Sequence, residues 1–223
     1  MNRQSVAIVQ PTFLPWAGWF DLVDQADTWI LLDDVAFSKQ SWQQRNRIRD
    51  RDGLAWLSVP VRSAGKLGQP IREVELAGDE FVRRFCNTIR ANYARAACFE
   101  ACFAGFEAAL QVSAATGMLS DLNRGLIDWL AGQLGVATPR FLSSELPVKG
   151  RRGEYVARLC EHVGANLYLS PAGAEDYLRE DLGQFEVRSI AIELQAYEHP
   201  VYKQCFEPFA SHASVLDLLF NEG

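Results

Sequence analysis

The sequence lacks the features that would direct the chain into or across a membrane. No apolar run reaches the length of about eighteen residues that a membrane-spanning helix needs. The chain also does not open with a charged segment followed by an apolar stretch and a small-residue cleavage site, the pattern of a secretory leader. We therefore expect a soluble protein of the cytoplasm that does not insert into a membrane.

Cysteine is present, but not in a pattern that predicts disulfides or a metal site. The five cysteines form no CxxC pair, and their odd number does not suit a closed set of disulfides. Cys98 and Cys102 lie one helical turn apart and so could touch one metal ion, but no histidine flanks them. We predict buried thiols and no metal site, and the sequence identifies no cofactor.

The chain lacks the excess of positive charge that is typical of nucleic-acid-binding proteins. It contains 22 Lys and Arg residues against 28 Asp and Glu residues, which gives a formal net charge of −6 at pH 7. We therefore expect no general affinity for nucleic acid. The hydrophobic fraction of 48% is sufficient for a full core, and 223 residues favour a single domain.

The opening of the chain predicts a βαβ unit. An apolar run from Val6 to Val9 ends at Gln10, where Pro11 and Pro15 disfavour helix at the residues before them. A second apolar run covers residues 29–32. Between the two runs, apolar side chains recur at i, i+3, i+4 and i+7, which predicts one buried helical face: Trp16, Trp19, Phe20 and Val23. Such units are parallel and right-handed.

The rest of the chain continues an α/β pattern. The predicted strands are residues 54–61, 71–76, 140–146, 166–170 and 187–197. Residues 79–136 show only helical spacing, with a last helix that ends at Gly135. We predict one domain over residues 1–223 with a Rossmann-like, mostly parallel sheet. Residues 1–78 and 137–223 would form its α/β part, and residues 79–136 would be an inserted helical lobe.

Polar residues follow the predicted strands at the point where each strand ends. Gln10 follows the first strand, and Asp33 and Asp34 follow the second. Ligands of open α/β sheets bind beyond the carboxyl ends of the strands, so we expect a site there. Adjacent strand residues point in opposite directions, so one of the two aspartates would reach the ligand as a general base or a metal ligand. Ser170 and Gly173 lie in a later strand-to-helix turn, whose backbone N–H groups are available to a ligand.

Basic and aromatic residues are interspersed in the segment from Phe37 to Asp50. Four positive charges fall within eleven residues of an otherwise acidic chain, at Lys39, Arg45, Arg47 and Arg49. Together with Trp42 and Asn46, they predict a site for an anion such as a phosphate or diphosphate. The alternative is a solvated loop in which the arginines pair with nearby aspartates. In the catalytic interpretation, Gln10, Asp33 and Arg45 converge on one cleft.

His199 is the best placed of the three histidines for proton transfer. It follows the last predicted strand, and its unperturbed pKa lies near working pH, so it is the second candidate for a general base. His162 falls within a predicted helix, and His212 falls in a loop.

Several motifs resemble those of the WbqC-like family, from residue 6 to the end of the chain. They are Gln10-Pro-x-x-Leu14-Pro-Trp-x-Gly18, Leu32-Asp-Asp, Ser41-Trp-Gln-x-Arg45-Asn-Arg, Trp56-Leu-x-Val-Pro-Val61, Tyr168-Leu-Ser-Pro-x-Gly173, His199-Pro-x-Tyr202 and Leu216-Asp-Leu-Leu-Phe-Asn221. The motifs add Trp16, Tyr202 and Gln204 to the ligand-binding candidates. The resemblance implies a role in bacterial O-antigen or other surface-polysaccharide biosynthesis, without implying a reaction. The chain departs from the family pattern at Lys203, where a proline is expected.

A weaker resemblance is to the nucleotidylyltransferase superfamily, whose first strand is followed by a turn with two histidines. The turn Pro15–Trp19 keeps the glycine of that pattern, Gly18, but has neither histidine. Ordinary nucleotidylyl transfer is therefore not expected, because no imidazole would stabilise the charge on the transferred phosphate. Nucleotide binding remains compatible with this sequence.

Three functional hypotheses follow from these patterns. The leading one is a transferase that acts on a nucleotide-activated or phosphorylated (amino) sugar, with Lys39, Arg45 and Arg47 on the phosphate and with Asn46 and Gln10 on sugar or acyl oxygens. The second is a noncatalytic nucleotide-binding, sugar-binding or assembly protein of the same pathway. The third, RNA binding through Trp42 and residues 45–49, is disfavoured by the overall negative charge.

Overall fold

The computed structural model describes residues 3–223, and for residues 175–178 it describes the backbone alone. The chain forms two compact units. Unit 1 contains the chain up to Gln10 together with Gly18–Asp33 and Val136–Glu198, and unit 2 contains Pro11–Ala17, Asp34–Gly135 and His199–Gly223. No helix in the described part of the chain has both the length and the apolar character needed to span a bilayer.

The described elements follow one another in this order: β1 (Ser5–Val9), α1 (Ala17–Asp24), β2 (Thr28–Leu31), β3 (Arg45–Asp50), β4 (Gly53–Ser58), α2 (Glu80–Tyr93), α3 (Phe99–Ala114), α4 (Leu119–Leu134), β5 (Arg140–Leu142), α5 (Arg152–His162), β6 (Leu167–Ser170), α6 (Glu175–Glu186), β7 (Ala191–Leu194) and α7 (Val215–Glu222). Short 3₁₀ helices occupy Ile71–Glu73, Ser143–Glu145 and Ala172–Ala174.

Unit 1 is built on a parallel sheet of five strands in the order β5-β2-β1-β6-β7. Counted along the chain, this order is 3-2-1-4-5, which is the order of the first five strands in doubly wound folds. The central strands β1, β2 and β6 are buried along their whole length, as expected for apolar runs in a sheet that is covered on both faces. The predicted α/β class with a mostly parallel sheet is confirmed.

Aromatic side chains pack the core of unit 1. Trp19 on α1 meets Trp29 on β2 edge to face, with ring centroids 5.4 Å apart, and Tyr168 on β6 stacks on Phe185 of α6 at 5.6 Å. Helix α1 buries Trp19, Phe20 and Val23 as predicted, but it begins at Ala17. Trp16 was predicted as the first residue of that face. It instead forms an isolated antiparallel bridge to Ser214 within unit 2.

Unit 2 combines an antiparallel hairpin with four helices. Strand β3 pairs with β4 so that Asp50 lies opposite Gly53, and the positive φ of 136° at Gly53 explains the glycine at this turn. Helix α3 packs on α2, α4 and α7. Phe220 of α7 lies at the centre of an aromatic core, with its ring 5.3 Å from both Tyr93 and Phe99. Helix α4 ends at Gly135 as predicted, with a left-handed φ of 73°.

Several element boundaries differ from the predictions. Residues 71–76 were predicted as a strand, but they form a 3₁₀ turn followed by isolated bridges at Glu75 and Leu76. The strands predicted at 54–61, 140–146 and 187–197 are shorter than expected, because each runs into a loop or a 3₁₀ turn at one or both ends. Residues 45–50 were treated as part of a polar loop. They form β3, in which Asn46 and Ile48 point inward while Arg45 and Arg47 point outward.

The division into one domain with residues 79–136 inserted stays a prediction. Residues 79–136 carry α2, α3 and α4, as the helical spacing indicated. By their contacts, these helices group with β3, β4 and the C-terminal segment in unit 2.

Candidate functional site

Polar residues gather at the carboxyl edge of the parallel sheet in unit 1. Gln10 follows β1, Asp33 follows β2, Ser170 ends β6 and Gln195 follows β7. The strand order reverses between β1 and β6, which is the position where doubly wound sheets hold their ligands. Gln10 is exposed at this switch point, whereas the neighbouring Ser170 is buried.

Asp33 was predicted as a catalytic residue, and its carboxylate is engaged within unit 1. It is 4% exposed. Its Oδ1 accepts hydrogen bonds from Ser143 Oγ at 3.1 Å and from the backbone N–H of Ser144 at 3.0 Å, and its Oδ2 accepts one from Ser144 Oγ at 2.7 Å. Three donors on one carboxylate tie the end of β2 to the end of β5. Asp34, the other candidate, belongs to unit 2 and is half-buried.

Ser170 and Gly173 shape the turn after β6. The backbone carbonyl of Ser170 accepts a hydrogen bond of 2.8 Å from the N–H of Gln195, which registers β6 with the end of β7. Gly173 lies in the 3₁₀ turn before α6, and a side chain added there would meet no atom. Gln195 was not identified from the sequence. Its Nε2 donates to Gly18 O at 2.8 Å and to Asp21 Oδ2 at 2.6 Å, so it holds the start of α1.

Four side chains of unit 2 form a surface that we call the tryptophan–arginine face: Trp42, Arg45, Arg47 and Trp56. Arg45 and Arg47 are two residues apart on β3 and so project to the same side, and Trp56 on β4 lies directly opposite Arg47. The guanidinium carbon of Arg45 is 4.2 Å from the Trp56 ring centroid, and that of Arg47 is 5.5 Å from Trp42 and 5.6 Å from Trp56. The two indole rings lie 5.3 Å apart at an angle of 38°.

This face carries positive charge with no carboxylate paired to it among the described side chains. No ion pair formed among residues 3–223 with described side chains involves Arg45 or Arg47. The Nε atoms of both arginines are buried and have no hydrogen-bond partner in that same part of the chain. The pairing of these arginines with nearby aspartates, which the solvated-loop alternative predicts, is thus not seen among the described side chains.

Asn46 was predicted to bind the ligand, but its side chain points inward from β3 and holds the backbone. Its Nδ2 donates to the carbonyl oxygens of Phe13 at 3.0 Å and Leu14 at 2.8 Å, and its Oδ1 accepts from the N–H of Arg47 at 2.8 Å. Leu14 has a positive φ of 44°, an unusual conformation for leucine that these bonds stabilise. Lys39 is exposed in the loop before Trp42.

Arg49, the remaining cation of the basic segment, is a structural residue. Its side chain is among the most deeply buried in the protein, and its guanidinium donates to the carbonyl oxygens of Gly53 and Pro208 at 2.8 Å each. These bonds attach the C-terminal segment to the β3–β4 hairpin.

A second group of rings in unit 2 forms what we call the histidine cluster: Trp16, His199, Tyr202, Phe209 and His212. Trp16 stacks on His212 at a centroid distance of 4.9 Å and on His199 at 6.2 Å, and the two imidazoles lie 5.2 Å apart. Tyr202 and Phe209 lie against His199 at 6.2 and 5.9 Å. His199 is therefore brought together with Trp16 and Tyr202.

His212, which the sequence placed in an ordinary loop, belongs to this cluster. Partial burial, followed by the charges of His199 and Arg47, lowers the pKa of His212 below its usual value. Its backbone has a left-handed φ of 63°, and its Nδ1 lies 2.7 Å from Ser211 Oγ. The N–H of Ser214, two residues after His212, donates to the carbonyl oxygen of Arg47 at 2.7 Å, so the cluster adjoins the tryptophan–arginine face.

A buried carboxylate holds the C-terminal part of the cluster in position. Asp217 on α7 is 0% exposed and accepts hydrogen bonds from Tyr93 Oη at 2.9 Å, Tyr202 Oη at 2.7 Å and Gln204 Nε2 at 2.7 Å. Burial, followed by the charge of Asp217, raises the pKa of Tyr93 well above its usual value. Tyr202 and Gln204 were predicted to bind the ligand, but their polar ends are directed at Asp217.

The predicted site residues thus form two sets, one in each unit. Unit 1 holds Gln10, Asp33, Ser170 and Gly173. Unit 2 holds Trp16, Asp34, Lys39, Trp42, Arg45, Asn46, Arg47, His199, Tyr202 and Gln204. Convergence of Gln10, Asp33 and Arg45 on one cleft stays a prediction. Sequence reasoning missed Trp56 and His212. A search of the described residues for three or more metal-ligating side chains in one place finds no such group.

Comparison with known proteins identifies one family over nearly the whole chain. The model described as "WbqC-like protein family" matches residues 10–223. The chain is also 35% identical, over 221 residues, to a Mycobacterium tuberculosis protein with the name "Uncharacterized protein Rv1507c". The match covers 99% of this chain and 94% of the relative. No solved structure matches significantly.

Proposed function

Since this chain belongs to the WbqC-like protein family, we propose that it is a cytoplasmic transferase of bacterial O-antigen or other surface-polysaccharide biosynthesis. Its substrate would be a nucleotide-activated or phosphorylated (amino) sugar. The observation that carries this proposal is the pair of guanidinium groups, Arg45 and Arg47, held on indole rings without a carboxylate partner among the described side chains.

The tryptophan–arginine face is complementary to phosphate. Arginine and tryptophan side chains supply N–H donors and no acceptor. A ligand that satisfies them must be rich in acceptor oxygens and negatively charged, and a phosphoryl group is both. Stacking on the indole rings holds the guanidinium planes in place, which reduces the entropy lost when they bind a ligand.

The histidine cluster supplies a group suited to proton transfer beside these cations. The lowered pKa of His212 favours the neutral imidazole at neutral pH, and a neutral imidazole can accept a proton. In the proposed transfer, a hydroxyl or amine acceptor forms a bond to the transferred group and gives its proton to the imidazole. The bond to the phosphate leaving group breaks, and its electron pair leaves on the phosphate oxygen.

Isothermal titration calorimetry with nucleotide sugars and sugar phosphates tests this proposal. We expect binding by the wild-type protein, weakened on the order of tenfold or more by Arg45→Ala or Arg47→Ala, because each removes charge-assisted hydrogen bonds to phosphate. Arg51→Ala is the matched control, since Arg51 is in the same hairpin with an exposed side chain. The proposal would be refuted if the wild-type protein bound none of these compounds. It would also be refuted if the wild type and the three variants bound them with equal affinity.

A noncatalytic binding or assembly protein of the same pathway is the second candidate. The observation that favours it is the carboxylate of Asp33, which accepts three hydrogen bonds from Ser143 and Ser144. In a deletion strain, we would compare surface polysaccharide after complementation with Asp34→Asn, His199→Ala and His212→Asn variants. Full restoration by all three favours the binding protein, and loss with either histidine variant favours the transferase.

A further inference from the structure

We propose that the tryptophan–arginine face binds the nucleoside diphosphate half of the substrate, with the base on the indoles of Trp42 and Trp56 and the diphosphate on Arg45 and Arg47. This inference rests on the proposed function. It goes further by committing to a nucleotide-linked donor and by naming the part of that donor that this face holds.

Two tryptophan side chains of unit 2 are exposed beside each other on this face. Trp42 is 48% exposed and Trp56 is 45% exposed, although tryptophan is usually largely buried in folded proteins. Their ring centroids lie 5.3 Å apart and the rings are inclined by 38°, so the exposed parts of the two indoles are neighbours. Exposed aromatic side chains of this kind are the usual platforms for nucleobases, since every base has a π face.

The two positive charges of this face lie close together on strand β3. Arg45 and Arg47 lie at i and i+2 on one strand, which separates their Cα atoms by roughly 6.6 Å. Both guanidinium carbons also lie within 5.6 Å of the Trp56 ring centroid, so the two groups suit the two linked phosphoryl groups of one diphosphate. Each arginine also contacts the Trp56 ring, so the phosphates and the base would be held at adjacent positions.

The hydrogen-bonding groups of this face favour a nucleotide over a bare sugar. Sugar hydroxyls are donors as well as acceptors, and the four side chains of this face offer no acceptor. A diphosphate offers acceptors only, and a base presents an apolar face to the indoles. The sugar half of the donor is therefore expected to lie beyond this face.

The small number of cations on this face favours a nucleoside diphosphate over single-stranded RNA. A nucleic-acid strand carries a phosphate at every residue and is bound along a basic track. The chain has a formal net charge of −6, and the third arginine of β3, Arg49, is buried with its guanidinium on backbone carbonyls. The face thus has cations for one diphosphate and does not continue as a track along β3.

Calorimetry and tryptophan fluorescence with a matched set of compounds test the inference. The compounds are nucleoside diphosphates with different bases, the parent nucleosides, inorganic diphosphate, a hexose 1-phosphate and an oligouridylate, all at one salt concentration. We expect at least one nucleoside diphosphate to bind about five- to a hundredfold more tightly than inorganic diphosphate, because base stacking adds to the phosphate contacts.

Variants assign that difference to individual side chains. Trp42→Leu and Trp56→Leu should remove the advantage of the nucleoside diphosphate over inorganic diphosphate. The affinity for inorganic diphosphate should fall much less, because these variants keep both arginines and lose only the indoles that hold them in place. Arg45→Gln should weaken both. Trp42→Phe and Trp56→Phe keep a ring and should retain part of the advantage, and they replace the leucine variants if circular dichroism shows that those are unfolded. Phe141→Leu is the control, because Phe141 is an exposed aromatic residue in unit 1.

The outcomes separate this inference from the proposed function. If hexose 1-phosphate binds through the arginines while nucleoside diphosphates bind no better than inorganic diphosphate, the inference is overturned and the proposed function stands. If no phosphorylated compound binds, both are overturned. If the oligouridylate binds more tightly than every nucleoside diphosphate and with a steep dependence on salt, the face is an RNA site and the inference is wrong.

Discussion

Ser144 donates a hydrogen bond of 2.7 Å from its hydroxyl to Oδ2 of Asp33, at the ends of two adjacent parallel strands. The backbone N–H of the same serine, at the start of the 3₁₀ turn after β5, donates to Asp33 Oδ1. The buried carboxylate of Asp33 therefore supplies the acceptor for this N–H group of the turn. This arrangement makes a structural role for Asp33 directly measurable.

Substitution of Asp33 should destabilise the protein. Asp33→Ala leaves the donors of Ser143 and Ser144 without their acceptor in a buried place, so we expect the free energy of unfolding to fall by about 3 kcal/mol. Asp33→Asn should cost less, because the amide keeps one acceptor oxygen. Urea denaturation followed by circular dichroism measures both values.

Asp24→Ala provides the control, since Asp24 is an exposed residue at the end of α1. Its effect should lie within about 0.5 kcal/mol of zero. If Asp33→Asn instead abolishes activity while leaving the unfolding curve unchanged, Asp33 is a catalytic residue and the structural interpretation is wrong.

The hydroxyl groups on Asp217 should contribute to stability in a coupled way. Tyr93→Phe and Tyr202→Phe each remove one donor from a buried carboxylate, and we expect each to lower the free energy of unfolding by about 1.5 kcal/mol. The double variant should lose more than the sum, because the carboxylate then keeps only the Gln204 amide among these three donors.

Phe209→Leu tests the ring contact of Tyr202 separately from the hydrogen bond of its hydroxyl group. It removes the edge-to-face contact with Tyr202 at 5.3 Å and leaves the hydrogen bond to Asp217 in place. In a double-mutant cycle measured by urea denaturation, Phe209→Leu should show little coupling to Tyr93→Phe. Strictly additive effects of the two tyrosine substitutions would contradict the shared-carboxylate interpretation.

Local patterns in the sequence predicted the fold of unit 1 well. Strands β1, β2 and β6 are short apolar runs bounded by turn residues, and helix α1 has clear helical spacing, so nearby residues suffice to identify them. The segment 71–76 also contains β-branched residues, Ile71 and Val74, but it forms only isolated bridges. Pairing depends on residues far away in the chain, which a local pattern does not contain.

The sequence identifies candidate site residues only where their chemistry is local. Arg45 and Arg47 were found because they form a cluster of charge in an acidic chain. Trp56 was missed because it meets Arg47 through the register of β3 and β4. Tyr202 became a ligand-binding candidate through the family motif, and the sequence did not show its hydrogen bond to Asp217, which is fifteen residues away. Polar residue type does not distinguish a ligand contact from an internal hydrogen bond.

The reactivity of the cysteines should follow their burial. Burial raises the pKa of Cys160 to about 12, and burial together with Glu107 raises the pKa of Cys86 to about 11. The thiolate is the reactive form, so iodoacetamide near pH 8 should leave both thiols unmodified in the folded protein. The half-buried Cys98, Cys102 and Cys205 should react first, as peptide mass mapping would show. In urea, all five should react at similar rates. Equal rates for Cys160 and Cys98 in the folded protein would contradict the prediction.

The stability of the protein should depend on pH through His212. Partial burial, His199 and Arg47 lower its pKa in the folded state, so the unfolded chain binds a proton at a higher pH than the folded protein does. The contribution of neutral His212 is therefore fully present above the ordinary histidine value of about 6.5, and it is lost as the pH falls from there through the lowered pKa. His212→Asn removes this titration. Asparagine suits the replacement because it tolerates the left-handed φ of 63°. The free energy of unfolding of the wild type minus that of His212→Asn should be smaller at about pH 5 than at about pH 7.5.

Nuclear magnetic resonance titration of the imidazole separates the causes of the shift. The pKa of His212 in the wild type should lie below that of a histidine in a short peptide. It should rise in Arg47→Gln, which removes one of the two repelling charges, and rise again when His199→Gln removes the other. Arg51→Gln should leave the pKa of His212 unchanged. The Arg51 side chain is exposed, and the charges that lower this pKa are those of His199 and Arg47. A wild-type His212 that titrates like the peptide, together with a stability difference that is equal at both pH values, would show that the cluster leaves the imidazole as basic as it is in water.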